Sequence, residues 1–169
     1  EISRFVCANT GEMLKLPSPN SKGLSMDHFS AEATEFHFNY FIERLQEKLG
    51  DIGNTPIKYF YLCSYEVVGF VWTPKMIEEF EQRRGYDMTP YLPILQGKII
   101  QNKDITERFL YDYRQTLSDL LIENLYLKGR EMVNPLGIKL CSESGGPGAP
   151  VHNVPVDALR ALGVLDIPR

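Results

Sequence analysis

The sequence predicts an α/β fold of partial (β/α)8 TIM-barrel-like type, with about four parallel strands joined by crossover helices. Three observations point there. Short apolar runs that read as strands alternate with longer stretches whose apolar residues recur every three or four positions, which read as helices. The strand runs are continuous rather than alternating, as strands covered on both faces should be. A short signature also closes two of them, Leu62-Cys63-Ser64-Tyr65-Glu66 and Leu140-Cys141-Ser142-Glu143. Each signature puts a carboxylate just past a strand end, at the rim where parallel α/β folds bind ligands and collect catalytic groups.

The elements follow in chain order. Residues 2–8 read as the first strand, and a long loop broken by Pro17, Pro19 and Gly23 runs from Asn9 to about Asp27. A loop of that length in a compact domain is usually functional. The first helix spans about Ser30 to Lys48, with Phe29, Ala33, Phe36, Tyr40, Phe41, Leu45 and Leu49 as its apolar stripe and Gly50 and Gly53 ending it. His37 lies beside that stripe and reads as a packed or rim histidine. Ile57-Lys58-Tyr59-Phe60-Tyr61 is the second strand. Thr73-Pro74 then starts a helix, Thr as the cap and Pro at the first helical position, which Gly85 breaks. A brief helical piece follows Asp87-Met88-Thr89-Pro90, and Asp104-x-x-Glu107 is a capping-box-like start to the longest helix, which runs to about Met132. Asn134-Pro135-Leu136-Gly137 leads into the third strand, and Val164-Leu165-Asp166-Ile167 opens a fourth.

At 169 residues the chain, 1–169, reads as one domain able to bury a core. Net charge is −4, the pI is near 5.4, and Arg83-Arg84 is the densest basic spot, which speaks against a nucleic-acid binder. No apolar run approaches the roughly 18 residues that suggest a membrane helix, and no signal-like segment opens the chain. It begins inside an apolar run and stops at a strand start, as a part of a longer protein would. Four strands do not close an eight-stranded barrel, so its outer strands need the rest of a longer polypeptide, or self-association, to cover them. A doubly wound sheet fits the same order of elements; it would be complete in this chain and monomeric.

Cys7, Cys63 and Cys141 form no metal spacing and each falls near a strand end, so they read as small buried residues. Two rim carboxylates are what acid/base chemistry on a sugar needs. Glu66 has Tyr65, Phe70 and Trp72 beside it, able to form a stacking wall for a sugar, and burial among aromatics raises a carboxyl pKa as a general acid requires. The plain alternative is a solvated loop carboxylate. Glu143 precedes Ser144-Gly145-Gly146-Pro147-Gly148, which lacks both the P-loop ending and the dinucleotide fingerprint, and so reads as a tight turn. His152 and Asn153 end that loop and could hydrogen-bond a substrate hydroxyl; Asp27-His28, before the first helix, combines a cap or dipole role with a rim position. Asn9-Thr10, directly after the first strand, shares that position.

Several runs together resemble a known family. One block comprises Ser64-Tyr65-Glu66, Trp72-Thr73-Pro74, Glu79-Phe80, Arg83-Arg84-Gly85-Tyr86-Asp87 and Thr89-Pro90-Tyr91-Leu92-Pro93. A second is Arg108-Phe109-Leu110-Tyr111-Asp112-Tyr113-Arg114 with Ser118-Asp119-Leu120; a third is Gly137-Ile138-Lys139 with Ser142-Glu143-Ser144-Gly145-Gly146-Pro147. With Gly23-Leu24-Ser25-Met26-Asp27, these resemble the catalytic barrel of the family 106 glycoside hydrolases, bacterial α-L-rhamnosidases that degrade plant polysaccharides. The resemblance implies an inverting hydrolase of terminal rhamnose with a calcium ion near the sugar, in a periplasmic, cell-surface or secreted bacterial setting. Its proteins are far longer, with β-rich flanking domains, so an isolated piece is expected to be inactive. It implies Glu66 and Glu143 as catalytic carboxylates, Glu66 as the water-activating base and Glu143 alternatively as a calcium ligand. Tyr65, Trp72, His152 and Asp27 are the expected substrate-binding residues. The alternative is a non-catalytic carbohydrate-binding relative, or a glycosidase for another sugar.

Overall fold

The computed structural model describes residues 2–14, 16–21, 23–67, 71–145 and 154–169. Three short strands, β1 (Tyr59–Leu62), β2 (Lys139–Ser142) and β3 (Ile167–Pro168), form one sheet in the order β1-β2-β3. Both pairings are parallel, with Leu62 level with Ser142 and Ser142 level with Pro168. Parallel neighbours require helical crossovers, and the helices between the strands supply them. The parallel α/β expectation therefore holds for this sheet.

Two sequence expectations need correction. Residues 2–8 form no strand: Ile2 is 99% exposed and Val6 72%. Their side chains suit a strand, but their backbone meets no strand partner, and without a ladder an apolar run stays irregular. Three strands form among the described residues rather than four. Nor is β1 covered on both faces, because Tyr59 and Tyr61 are exposed while Phe60 and Leu62 are half-buried. β2, in the middle of the sheet, is buried from Leu140 to Ser142.

α1 (Ala31–Leu49) starts where the sequence places it, Ser30 Oγ accepting the Ala33 N–H as its N-cap. Its buried face is different, however. Thr34, Phe38 and Ile42 turn inward, while Phe36, Tyr40, Phe41 and Leu49 stay exposed. This helix is apolar on more than one side, so periodicity alone leaves its orientation open; the neighbour fixes it. Phe38 fits against Gly129, where an added Cβ would come 2.8 Å from Phe38 Cζ and 3.3 Å from Leu140 Cδ2.

α2 (Met76–Arg84) ends at Gly85, whose φ of +80° is the left-handed conformation that glycine adopts freely. A 3₁₀ segment, Thr89–Gln96, carries Pro at its start. α3 (Lys103–Leu121) is capped by Asn102, which accepts the Ile105 N–H at 2.9 Å, rather than by Asp104. It continues through a π-helical segment, Ile122–Leu127, into α4 (Lys128–Val133). Asn124, in the π segment, donates to the Phe29 carbonyl at 2.7 Å, and Tyr126 donates to the Ser144 carbonyl at 3.1 Å. One stretch of this helix thus holds the ends of both rim loops. π segments recur at functional sites for this kind of re-aiming. α5 (Ala158–Val164) precedes β3, with Asp157 as its cap.

The two longest family-like blocks meet in space. Arg84 Nε donates to Thr116 Oγ1 at 3.0 Å and its guanidinium pairs with Asp119, which also accepts from Arg160 at 2.6 Å. Arg83 is met by Glu79 and Glu123. Tyr86 donates to Asp112 at 2.9 Å, Tyr91 stacks on Phe109 with centroids 5.5 Å apart, and Phe80 meets Tyr86 edge-on. Ser118 Oγ accepts the Asp157 N–H at 2.8 Å, pinning the start of α5. These motif residues therefore bind α2, α3 and α5 together. Of the cysteines, Cys7 and Cys63 are exposed and only Cys141 is buried, so the expectation of three buried thiols holds for one.

Candidate active site

The parallel register brings the two repeated signatures side by side. With Leu62 opposite Ser142, the residues that follow meet across the strand ends. Tyr61 Oη donates to Glu143 Oε1 at 3.0 Å and Ser64 Oγ donates to Glu143 Oε2 at 2.8 Å. Arg169 lies beside them, its guanidinium 5.7 Å from the Tyr61 ring centre. The Ser64 and Tyr61 hydrogen bonds stabilise the ionised carboxylate and hold its pKa below the usual range, with Arg169 adding to the effect. The same contact pushes the Tyr61 phenol up. Glu143 is thus a fixed carboxylate, which is the wrong state for a proton donor and the right one for a base or an electrostatic group.

Glu66 follows β1 by four residues and is exposed between two residues, Tyr65 and Val67, that line a hollow of about 450 Å³. Asp27, His28 and Trp72 line the same hollow. Three of the four expected substrate-binding residues, Asp27, Tyr65 and Trp72, therefore converge on one cavity beside Glu66; His152 lies outside the described residues. Asp27 also holds this corner together. It accepts the Phe29 N–H at 2.9 Å and the Thr73 hydroxyl at 2.7 Å, so Thr73 spends its side chain there rather than as a helix cap. Tyr113 supports the opposite wall by donating to the Val71 carbonyl.

His28 sits at 5.1 Å, edge-on, from the Tyr65 ring, and burial pulls its pKa down despite the nearby Asp27. His28 and Met26 also line a second, apolar groove of about 460 Å³ that runs along β1 from Tyr59 to Ser64. Tyr59–Val67 thus threads between an apolar groove and a polar cavity, with both glutamates attached to its end.

Sequence reasoning missed Tyr61 and Ser64 as holders of Glu143, and Glu12 and Ser25 as cavity walls. The long first loop was the available signal for the latter pair. Calcium binds six to eight oxygens, usually several of them carboxylate. Among the described residues no three Asp, Glu, His or Cys side chains converge on a metal-sized position. Glu143 brings one carboxylate without companions, so these residues alone do not fit a calcium site.

Carboxylates at the ends of neighbouring parallel strands, beside an aromatic-walled cavity, define a glycoside-hydrolase-like unit, and known proteins agree. The alpha-L-rhamnosidase family profile matches residues 1–168. The chain belongs to that family of glycoside hydrolases. A rhamnosidase from Novosphingobium sp. PP1Y superposes with a TM-score of 0.80 at 29% identity, over 92% of this chain and 15% of its own. A Formosa agariphila protein named "Putative beta-glucuronidase" is 37% identical over 128 residues, 75% of this chain and 11% of that protein. The chain thus spans about a tenth to a seventh of the length of these relatives.

Proposed function

We propose that this chain forms part of the catalytic (β/α)8 barrel of an inverting α-L-rhamnosidase that releases terminal rhamnose from plant polysaccharides or glycans outside the bacterial cytoplasm. The rest of a longer polypeptide completes the barrel. The observation that carries this reading is Glu143, held ionised by Tyr61 and Ser64 at the strand ends beside the cavity.

An inverting glycosidase needs one carboxylate to take a proton from water and one carboxylic acid to give a proton to the leaving oxygen, roughly 6.5–9.5 Å apart. As water oxygen bonds to the anomeric carbon and the glycosidic bond breaks, one proton passes to the base and another reaches the leaving group. The sequence favours Glu66 as base; the hydrogen bonds favour Glu143, because a base must be ionised when water arrives. Each Glu143 oxygen accepts one protein hydrogen bond and keeps a lone pair for water. Proton donation then falls to Glu66. Calcium stays outside this scheme, and no step depends on it.

The test compares Glu66→Gln in the intact protein on two rhamnosides. A proton donor matters most for a poor leaving group, so turnover of a rhamnosyl disaccharide falls at least 100-fold, within the roughly 10²–10⁴ range of general acid catalysis, while 4-nitrophenyl α-L-rhamnoside suffers far less. Equal turnover by wild type and variant on the disaccharide removes Glu66 from the mechanism. Proton NMR of the first-formed sugar shows the β anomer if the reaction inverts.

A further inference from the structure

The cavity beside Glu66 holds two hydroxyls that the fold leaves unused. Tyr65 is 3% exposed, and among the described residues its Oη meets no hydrogen-bond partner; Ser25 Oγ, also buried, meets none either. Both residues line the same hollow. Burying a hydroxyl without a partner is costly, so two of them in one cavity wall are matched by a ligand that brings hydroxyls of its own. Burial also keeps the Tyr65 phenol protonated, so it is a donor at any physiological pH.

The charges around this hollow are one-sided. Glu12 and Asp27 line it, and none of its described lining residues is Lys or Arg. His28, the only other titratable nitrogen there, favours its neutral form. A second negative charge brought into a partly desolvated hollow with two carboxylates meets repulsion that no cation offsets. Met26, Val67 and Val71 give the remaining wall an apolar character suited to a deoxy carbon.

We propose that this cavity is a subsite for a neutral sugar, in which Tyr65 Oη and Ser25 Oγ donate to sugar hydroxyls while Glu12 and Asp27 turn away sugars bearing a carboxylate. The proposal rests on the glycoside-hydrolase reading and narrows it. Uronic acids, the sugar class in the name of the Formosa agariphila relative, are rejected here.

Isothermal titration of the intact protein with L-rhamnose and with D-glucuronate reads the subsite independently of turnover. L-Rhamnose binds the wild type, and D-glucuronate binds at least tenfold more weakly. Tyr65→Phe weakens rhamnose about five- to tenfold, the usual worth of one hydrogen bond, and Ser25→Ala acts in the same direction. Because the Tyr65 hydroxyl has no partner in the fold, Tyr65→Phe melts at the wild-type temperature or higher, which separates lost binding from lost structure. Glu12→Gln narrows the gap between the two sugars. The proposal is overturned if the wild type binds neither sugar, if glucuronate binds as tightly as rhamnose, or if Tyr65→Phe binds rhamnose within twofold of wild type. Rhamnose binding with the expected variant pattern but no hydrolysis of any rhamnoside supports the subsite and sinks the hydrolase reading instead. Hydrolysis with binding indifferent to Tyr65 does the reverse.

Discussion

Ser64 Oγ donates a 2.8 Å hydrogen bond to Glu143 Oε2, joining two strand ends whose residues lie 79 positions apart in the chain. Parallel register makes the contact, and the contact sets the protonation state of the carboxylate. Folding lowers the Glu143 pKa, so the linked stability is present above the ordinary carboxylate value and is lost as pH falls through the folded value. Ser64→Ala removes the largest of the causes and raises that pKa toward the ordinary range. If Glu143 is the base, the acid limb of the kcat/KM profile moves to higher pH in Ser64→Ala. An unshifted acid limb would separate Glu143 from the ionisation that controls activity.

The Arg84–Asp119–Arg160 cluster is a stability element rather than a chemical one. Asp119 is 13% exposed and Arg84 19%, so removing the carboxylate strands a largely buried guanidinium. Asp119→Ala should cost about 3 kcal/mol, the lower range for breaking a buried pair. Urea denaturation measures it. A loss under about 1 kcal/mol would mean that solvent already screens the cluster.

Gly129 is needed for its size. Alanine favours a helix by roughly 1 kcal/mol, yet here its Cβ would press on the Phe38 ring and Leu140. Overpacking typically costs about 1–3 kcal/mol, so Gly129→Ala should be destabilised on balance. Pairing it with Phe38→Leu should recover part of the loss in thermal melts. A stabilised single variant would show that α1 yields at this point.

These cases show why some features could be read from the sequence and others could not. Ser30, Gly85 and the Asn134-Pro135 break mark helix ends through local backbone chemistry, and local chemistry is visible in sequence. Continuous apolar runs found β1 and β2, whose register then placed Glu143 beside Ser64. Residues 2–8 misled because strand formation depends on a partner edge, which composition does not report. The inward face of α1 depended on Gly129, 91 residues beyond Phe38, and no periodicity carries that information. The cavity follows the same rule: Asp27, Tyr65 and Trp72 were visible as residue types, whereas Ser25 and Glu12 became relevant only once the first loop folded against the second.

His28 supplies a pH dependence of stability. Burial lowers its pKa in the folded state below the ordinary 6.5, so the unfolded chain binds the proton first. Stability is full above 6.5 and declines as pH falls from there toward the folded value. His28→Gln, which does not titrate, should flatten chemical-denaturation stability between pH 7 and 5. An NMR titration placing the His28 midpoint above 6.5 would reverse the sign and refute this account.

The central claim is that Glu143 acts as the ionised base at the strand-end rim. Turnover of 4-nitrophenyl α-L-rhamnoside by the intact protein, wild type against Glu143→Gln, addresses it most directly. The expected result is a fall in kcat of roughly 10²–10⁴ with the circular dichroism spectrum preserved, because no leaving group relieves the need to activate water. A variant that turns over within threefold of wild type would contradict it.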